Sequence, residues 1–334
     1  MTQSIINFCN FIVNSVGDAN FIFLQNINGP IMLDCGVQNK RMLNSDNGYL
    51  RKQFEFAHDL VVSHYHSDHF NALCDIENKS LHIYDLYYPY IPRFDLQEKL
   101  IKEIHFSNFL RILAYIKSGS CAFDLISLLK EKNSEKFSYK PLHIGMTVGN
   151  SPKYEVIWPP KNANDFNVPY LAKKITDIED CIKRIPELSY LWACFDRAEI
   201  DDNQRLKLDV SDLQINKDFL KEHEDTIQAI EEKVRGITNR FSICLYCKGR
   251  FLFLGDLEKV EVSSCLRNLR KTLTCDKIAV KYFITPHHGT KKHYCDDIAN
   301  YIDAKYVISS NGQKRIRDYE KNTMNLASIL IALT

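Results

Sequence analysis

Residues 59–69 read DLVVSHYHSDH, a short apolar strand running straight into three imidazoles and a carboxylate. Alternation along an extended chain turns His64 and His66 to one side. A turn after His66 can then bring Asp68 and His69 back toward a second position. Imidazole nitrogen suits zinc, iron or manganese, and a carboxylate suits harder ions. The bland alternative is a polar loop with incidental surface histidines, and the alternate spacing argues against it. The segment predicts a centre for divalent metal ions at the end of a strand.

The rest of the chain offers strands to surround it. Residues 4–13 and 19–27 are rich in β-branched and aromatic side chains, and Asn28-Gly29 suits a tight hairpin. Ile31-Met32-Leu33 returns as a buried strand that delivers Asp34 to its end, followed by Gly36. Strands are also expected at 82–90, 139–149, 153–158, 279–285 and 305–310, with a hairpin joining 241–246 to 251–255. A short helix is expected within 40–57. Asp95 with Glu98 reads as a helix start, Ser107 as the cap of a second helix running to Gly119, and 121–131 as a third. Residues 161–215 look polar and irregular apart from a helical stretch near 176–184, and a helix at 217–235 is closed by Gly236. The whole of 1–334 is expected to form one domain, with 92–131 and 161–236 as helical insertions, the second serving as a cap, spacer or partner surface.

Composition excludes several classes. Hydrophobic residues make up 45% and charged residues 25% of 334, so disorder is not expected. The net charge of +1 gives no global field that would draw a polyanion. Eleven scattered cysteines suggest free thiols in a reducing compartment. The N-terminus lacks a basic region and cleavage site, and Leu326–Leu333 falls short of the roughly 20 apolar residues of a membrane span. A soluble cytoplasmic protein with no membrane partner is expected. Cys244 and Cys247 have zinc-like spacing but no second pair, and strand alternation would separate their thiols.

His64-x-His66-x-Asp68-His69 resembles the signature of the metallo-β-lactamase superfamily. Further segments resemble one branch, the ComEC-type DNA-uptake hydrolase domain and its stand-alone relatives. These are Val16-Gly17-Asp18-Ala19, Val156-Ile157-Trp158-Pro159-Pro160, Asn239 to Leu245, FLFLGD ending in Asp256, and Thr285-Pro286-His287-His288-Gly289. The resemblance implies an α/β (α+β) fold, a four-layer αβ/βα sandwich with helical insertions. It implies two divalent ions, Zn or Mn: His64 and His66 on one, Asp68, His69 and His287 on the other, and Asp256 bridging. Asp34, Asp18 and Asn239 would support the ligands from behind. Asp68 and Asp256 would be catalytic, and His288 or Lys291 would protonate the leaving group. Lys291, Lys314 and Arg315, with Lys292 and Arg317 beside them, would grip phosphates or form a solvated face.

Two departures stand out. No Gly-His segment lies between the first motif and Gly255-Asp256, leaving His143 as a substitute ligand, and no histidine follows Ser309-Ser310-Asn311-Gly312. The leading functional expectation is a phosphodiesterase or nuclease acting on DNA. A second is a hydrolase of a lactone, thioester or cyclic nucleotide. A third is a metal-stabilised effector with weak or conditional catalysis, such as one in bacterial defence, with 161–236 as its partner surface.

Overall fold

The computed structural model describes residues 5–8, 11–14, 19–38, 41, 43, 49–115, 124–208, 217–310 and 327–332. Its first half builds β1 (Ile5–Phe8), β2 (Phe11–Asn14), β3 (Phe21–Leu24), β4 (Ile31–Cys35), α1 (Tyr49–Phe56), β5 (Asp59–Val61), β6 (Asp85–Pro89), α2 (Gln97–Tyr115), α3 (Leu125–Lys132) and β7 (Ser138–Leu142). These seven strands form one sheet in sequence order. β1 to β4 pair antiparallel, then β4 to β7 run parallel. Parallel neighbours need crossovers, and α1 and the α2–α3 region lie within two of them.

A second mixed sheet takes β8 (Thr147–Val148) and β9 (Tyr154–Trp158) from before the insertion. The insertion supplies α4 (Val168–Lys183), α5 (Pro186–Arg197), the β10–β11 hairpin (Glu199–Ile200 with Leu206–Lys207), α6 (Lys217–Glu222) and α7 (Glu224–Thr238). The chain then returns with β12 (Cys244–Cys247), β13 (Phe251–Phe253), α8 (Lys259–Leu273), β14 (Ile278–Ile284), α9 (Asp296–Tyr301), β15 (Ile302–Ser309) and β16 (Ala327–Ala332). β8, β9, β12 and β13 pair antiparallel, and β13 to β16 run parallel. Among the described residues no helix is long and apolar enough to cross a membrane.

Period-two alternation decides which core each side chain enters. Ile31 and Leu33 of β4 join Phe251 and Phe253 of β13, with Val61, Leu245 and Ile284, in a cluster shared by the two sheets. Their neighbours Met32 and Leu252 belong to a second cluster, together with Leu266 of α8 and Ile104 of α2. Strands apolar on both faces read as unbroken hydrophobic runs. The insertion's Ile175, Phe195 and Ile230 lie in this second cluster as well. Cys244 and Cys247 fall in different clusters, so the two thiols face apart.

Several elements differ from expectation. The β-structure expected at the start is a pair of antiparallel strands, β1 and β2. The helices expected to meet at Ser107 are a single helix, α2, with Ser107 buried inside it. Phe106 and Phe109 flank Ser107 and pack on Phe195 at 5.1 and 5.3 Å between ring centroids. A break there would strand four backbone N–H groups in an apolar core. The insertion is largely helical rather than irregular. Leu171, Ile175, Ile178 and Ile182 form the buried stripe of α4, and Asn167 caps it by accepting from Tyr170 N–H. Pro186 opens α5 at a position where its missing N–H costs nothing. The expected helix at 217–235 is two, α6 and α7, and α7 runs through Gly236 because Ile237 is buried beyond it.

Phe195→Ala removes the ring that joins α5 to α2. It should cost about 3–5 kcal/mol, read as a lowered urea midpoint.

Candidate metal centre

The candidate residues gather at the carboxyl ends of parallel strands, where open α/β sheets place their ligands. Asp34 is the last residue but one of β4, β5 leads toward Ser63 and His64, β13 toward Gly255-Asp256, β14 into Thr285-Pro286-His287-His288, and β15 ends at Ser309, followed by Ser310.

Asp34 is fully buried with φ of 56°, a left-handed conformation that Asp tolerates better than most residues. Its Oδ1 accepts from Ser63 N–H at 2.6 Å. Its Oδ2 accepts from Ser63 Oγ–H at 2.7 Å and from His69 Nδ1–H at 2.7 Å. The carboxylate thus fixes the His69 tautomer and leaves Nε2 facing inward. Gly36 presses against the loop from behind: a Cβ there would lie 1.3 Å from the Asp68 carbonyl oxygen.

His288 is oriented by a similar device. Ser310 Oγ–H donates to Asn20 Oδ1 at 2.7 Å, so the same oxygen accepts from His288 Nδ1–H at 3.2 Å. The His288 carbonyl accepts from Ser309 Oγ–H at 2.8 Å. His287 and His288 both adopt positive φ, 48° and 53°. Consecutive left-handed residues of this kind are strained and concentrate at functional sites.

Asp256 stands at the middle. Its Oδ2 lies 3.4 Å from His287 Nδ1, 3.5 Å from His69 Nε2, 3.6 Å from His288 Nε2 and 3.9 Å from His64 Nε2. These are electrostatic approaches wider than ordinary hydrogen bonds. His64 Nε2, His69 Nε2, His288 Nε2, Asp256 Oδ1 and Asn239 Oδ1 are buried without a hydrogen-bond partner. Such groups demand an explanation, and a cation taking imidazole lone pairs and a carboxylate oxygen is the one this donor set fits. Among the described residues, two groups have ligand atoms within 4.8 Å of one another: His64 with Asp68 and His69, and His69 with Asp256 and His288.

The grouping differs from the expected pairing. His64 and His66 do share a side, their rings nearly parallel at 6.0 Å. His66 Nδ1, however, turns onto Asp68 Oδ1 and lies in neither group. His288, expected as a proton donor, faces Asp256 from a buried position. His287 is partly exposed and stacks on His293 at 3.7 Å and 6°. The paired left-handed turns account for this exchange. Asn239 is buried at the end of α7, and its Nδ2 lies 3.4 Å from His287 Nδ1. His143 does not join: its Nδ1 faces the Ile144 carbonyl and its ring edges onto Tyr90. Asp18, Lys314 and Arg315 lie outside the described residues, as does the side chain of Lys291.

Ser63, Asn20, Ser310, His293 and Glu258 were not singled out from the sequence. His293 Nε2 meets Glu258 Oε2 at 3.2 Å, and its Nδ1 meets Thr290 Oγ1 at 2.6 Å. Nothing in their spacing marks them, although Ser63 and Ser310 each adjoin or follow a motif at a strand end.

The charges are mutually dependent. Burial opposes ionisation of Asp256, yet His288, His287, His69 and His64 hold its carboxyl well below the usual range. Burial likewise opposes ionisation of Asp68, and His66 and His69 outweigh it. Burial lowers His64 well below the ordinary imidazole value. Burial also lowers His287, to about 4, so that ring is neutral at pH 7. Burial disfavours the His69 imidazolium too, but Asp34, Asp256 and Asp68 together raise it well above the ordinary value.

Comparison of the chain with protein-family models finds no match. Comparison with curated proteins finds none either.

His69 therefore carries a proton at neutral pH when no ion is bound, and an ion at Nε2 must displace it. The apparent metal affinity should rise by about tenfold per pH unit below the His69 titration and flatten above it. Calorimetry in buffers of different ionisation enthalpy reads the released proton. Gly36→Ala should cost about 1–3 kcal/mol and lower metal occupancy, measured by urea unfolding and elemental analysis.

Proposed function

We propose that the chain is a metal-dependent hydrolase of the metallo-β-lactamase type that acts on phosphodiesters, with DNA as the leading substrate. The observation that carries the metal centre is the convergence of unpartnered His64, His69 and His288 Nε2 atoms on the Asp256 carboxylate. Two mixed seven-stranded sheets sharing one apolar cluster, with helices against the other cluster, support a four-layer αβ/βα sandwich. The ComEC-type resemblance of residues 239–258 and 283–290 favours a phosphodiester and DNA.

In this reading His64, Asp68 and His69 would hold one ion, and Asp256 and His288 would supply ligands for a second. Divalent ions so placed supply water that ionises near neutral pH and positive charge for the transition state. The protein's own part is orientation. Asp34 presents His69, Ser310 presents His288, and Asn239 with the stacked His293 steadies His287. His288 Nε2 faces the carboxylates, so it serves as a ligand and not as the leaving-group acid. His287, neutral at pH 7, is suited to accept a hydrogen bond or a proton.

One observation favours the small-molecule alternative: α7 ends against His287, bringing the insertion to the edge of the centre. A small phosphodiester suits a site bordered by a helix end better than an uninterrupted duplex does.

Purified protein should cleave single-stranded DNA or a small phosphodiester with manganese or zinc, and lose this with chelator. Asp256→Ala should lower the rate on the order of 10³-fold. Chelator-insensitive cleavage, or full activity in Asp256→Ala, would overturn the proposal.

A further inference from the structure

The insertion meets the exit of β6 through a turn that is costly to make. In the turn joining β10 to β11, the buried residue Gln204 has φ of 59°. Glycine or asparagine would take that left-handed conformation at less cost. Such strain persists only where the surroundings over-determine it, and here they do. Asp201 Oδ1 accepts from Asn203 N–H and Arg205 N–H, both at 2.9 Å. The Gln204 carbonyl accepts from His105 Nε2–H of α2 at 3.2 Å.

What the turn delivers is the side chain of Gln204. Its Oε1 accepts from Ile91 N–H at 2.8 Å, and its Nε2–H donates to the Ile91 carbonyl at 2.9 Å. The carboxamide thus pairs with both backbone groups of one residue, as a neighbouring strand would, two residues beyond the end of β6. The Tyr88 hydroxyl, within β6, donates to the Asn203 carbonyl. The turn therefore grips the chain at two nearby points, Tyr88 and Ile91.

Pro89 lies between those points, and its carbonyl accepts from the Tyr65 hydroxyl at 2.9 Å in a buried bond. Tyr65 directly follows His64, inside the loop that carries Asp68 and His69. Just before that loop, Val62 N–H donates to the Tyr87 carbonyl at 2.9 Å. A buried hydroxyl without a partner is costly, so Tyr65 follows the place given to the Pro89 carbonyl. A continuous series of bonds and adjacent residues thus runs from Gln204 through Ile91, Pro89 and Tyr65 to His64.

We infer that Gln204 is a positioning residue for the metal loop: by fixing residues 88–91, the β10–β11 turn sets where Tyr65, and with it His64, stands. This rests on the metal-centre reading above and gives the insertion a task within it, holding the loop in shape before an ion arrives. Partners that orient ligands from behind in this way matter for metal affinity nearly as much as the ligands themselves.

The test is calorimetric titration of cobalt into the full chain, with the visible absorption of the loaded protein as the reporter of ligand geometry. Gln204→Gly keeps the left-handed turn and removes only the carboxamide. It should weaken cobalt binding on the order of tenfold and shift the absorption bands. Tyr65→Phe should do the same, and Gln204→Glu, which still accepts from Ile91 N–H but cannot donate to its carbonyl, should fall in between. Ile182→Ala, outside this series of bonds, should lower the urea midpoint and leave the bands in place. Unaltered affinity and bands in Gln204→Gly overturn the inference and leave the metal centre standing, whatever Tyr65→Phe does. Equal band shifts in Ile182→Ala overturn it too, by reducing the effect to a general loss of stability. A wild-type chain that takes up no cobalt, zinc or manganese overturns both readings together.

Discussion

The centre depends on one buried carboxylate that would not itself touch an ion. Asp34 sits at the end of β4 in a left-handed conformation and accepts three hydrogen bonds, two from Ser63 and one from His69. Desolvating a carboxylate is expensive, and three donors offset that cost. In return Ser63, the second residue after β5, is locked to the end of β4, and His69 is held with Nε2 inward. Gly36 completes the constraint, because only a residue without Cβ lets β4's exit pass behind Asp68. The histidine loop is thus shaped by its backing more than by its own preferences.

The second sheet answers with the same logic and different chemistry. Gly255 has φ of 53°, and a Cβ there would stand 2.6 Å from that of Ser242. Its carbonyl accepts from His287 N–H at 2.9 Å, tying the end of β13 to the turn after β14. Hydroxyls orient His288 where a carboxylate orients His69. That difference fits the charges: His69 is driven toward imidazolium by three carboxylates, whereas a serine that must itself donate to Asn20 adds no charge beside His288.

Much of this was legible because ligands at strand ends follow an apolar run. DLVVS before His64, IML before Asp34 and FLFLG before Asp256 each announce a strand and its terminus, and the structure brings the three ends together. The choice between His287 and His288 was not legible, since it turns on two positive φ angles in residues that seldom adopt them. The insertion was under-read for another reason. The stripe Leu171, Ile175, Ile178, Ile182 has helical spacing, but the polar residues between its members obscured it. Ser107 misled in the opposite direction: a local capping preference lost to aromatic packing on both sides of it. The supporting role of Ser310 and Asn20 was invisible, because neither residue says which distant partner it will meet.

The two sheets have related courses, each an antiparallel meander that becomes parallel toward one side. The parallel strands of the first present His64, Asp68 and His69, and those of the second present Asp256 and His288. Neither sheet alone assembles both groups. An ion shared across that seam would act as a rivet between distant stretches of chain. Its occupancy would then report whether the two halves have closed on each other, making the chemistry of the site a gauge of its own architecture.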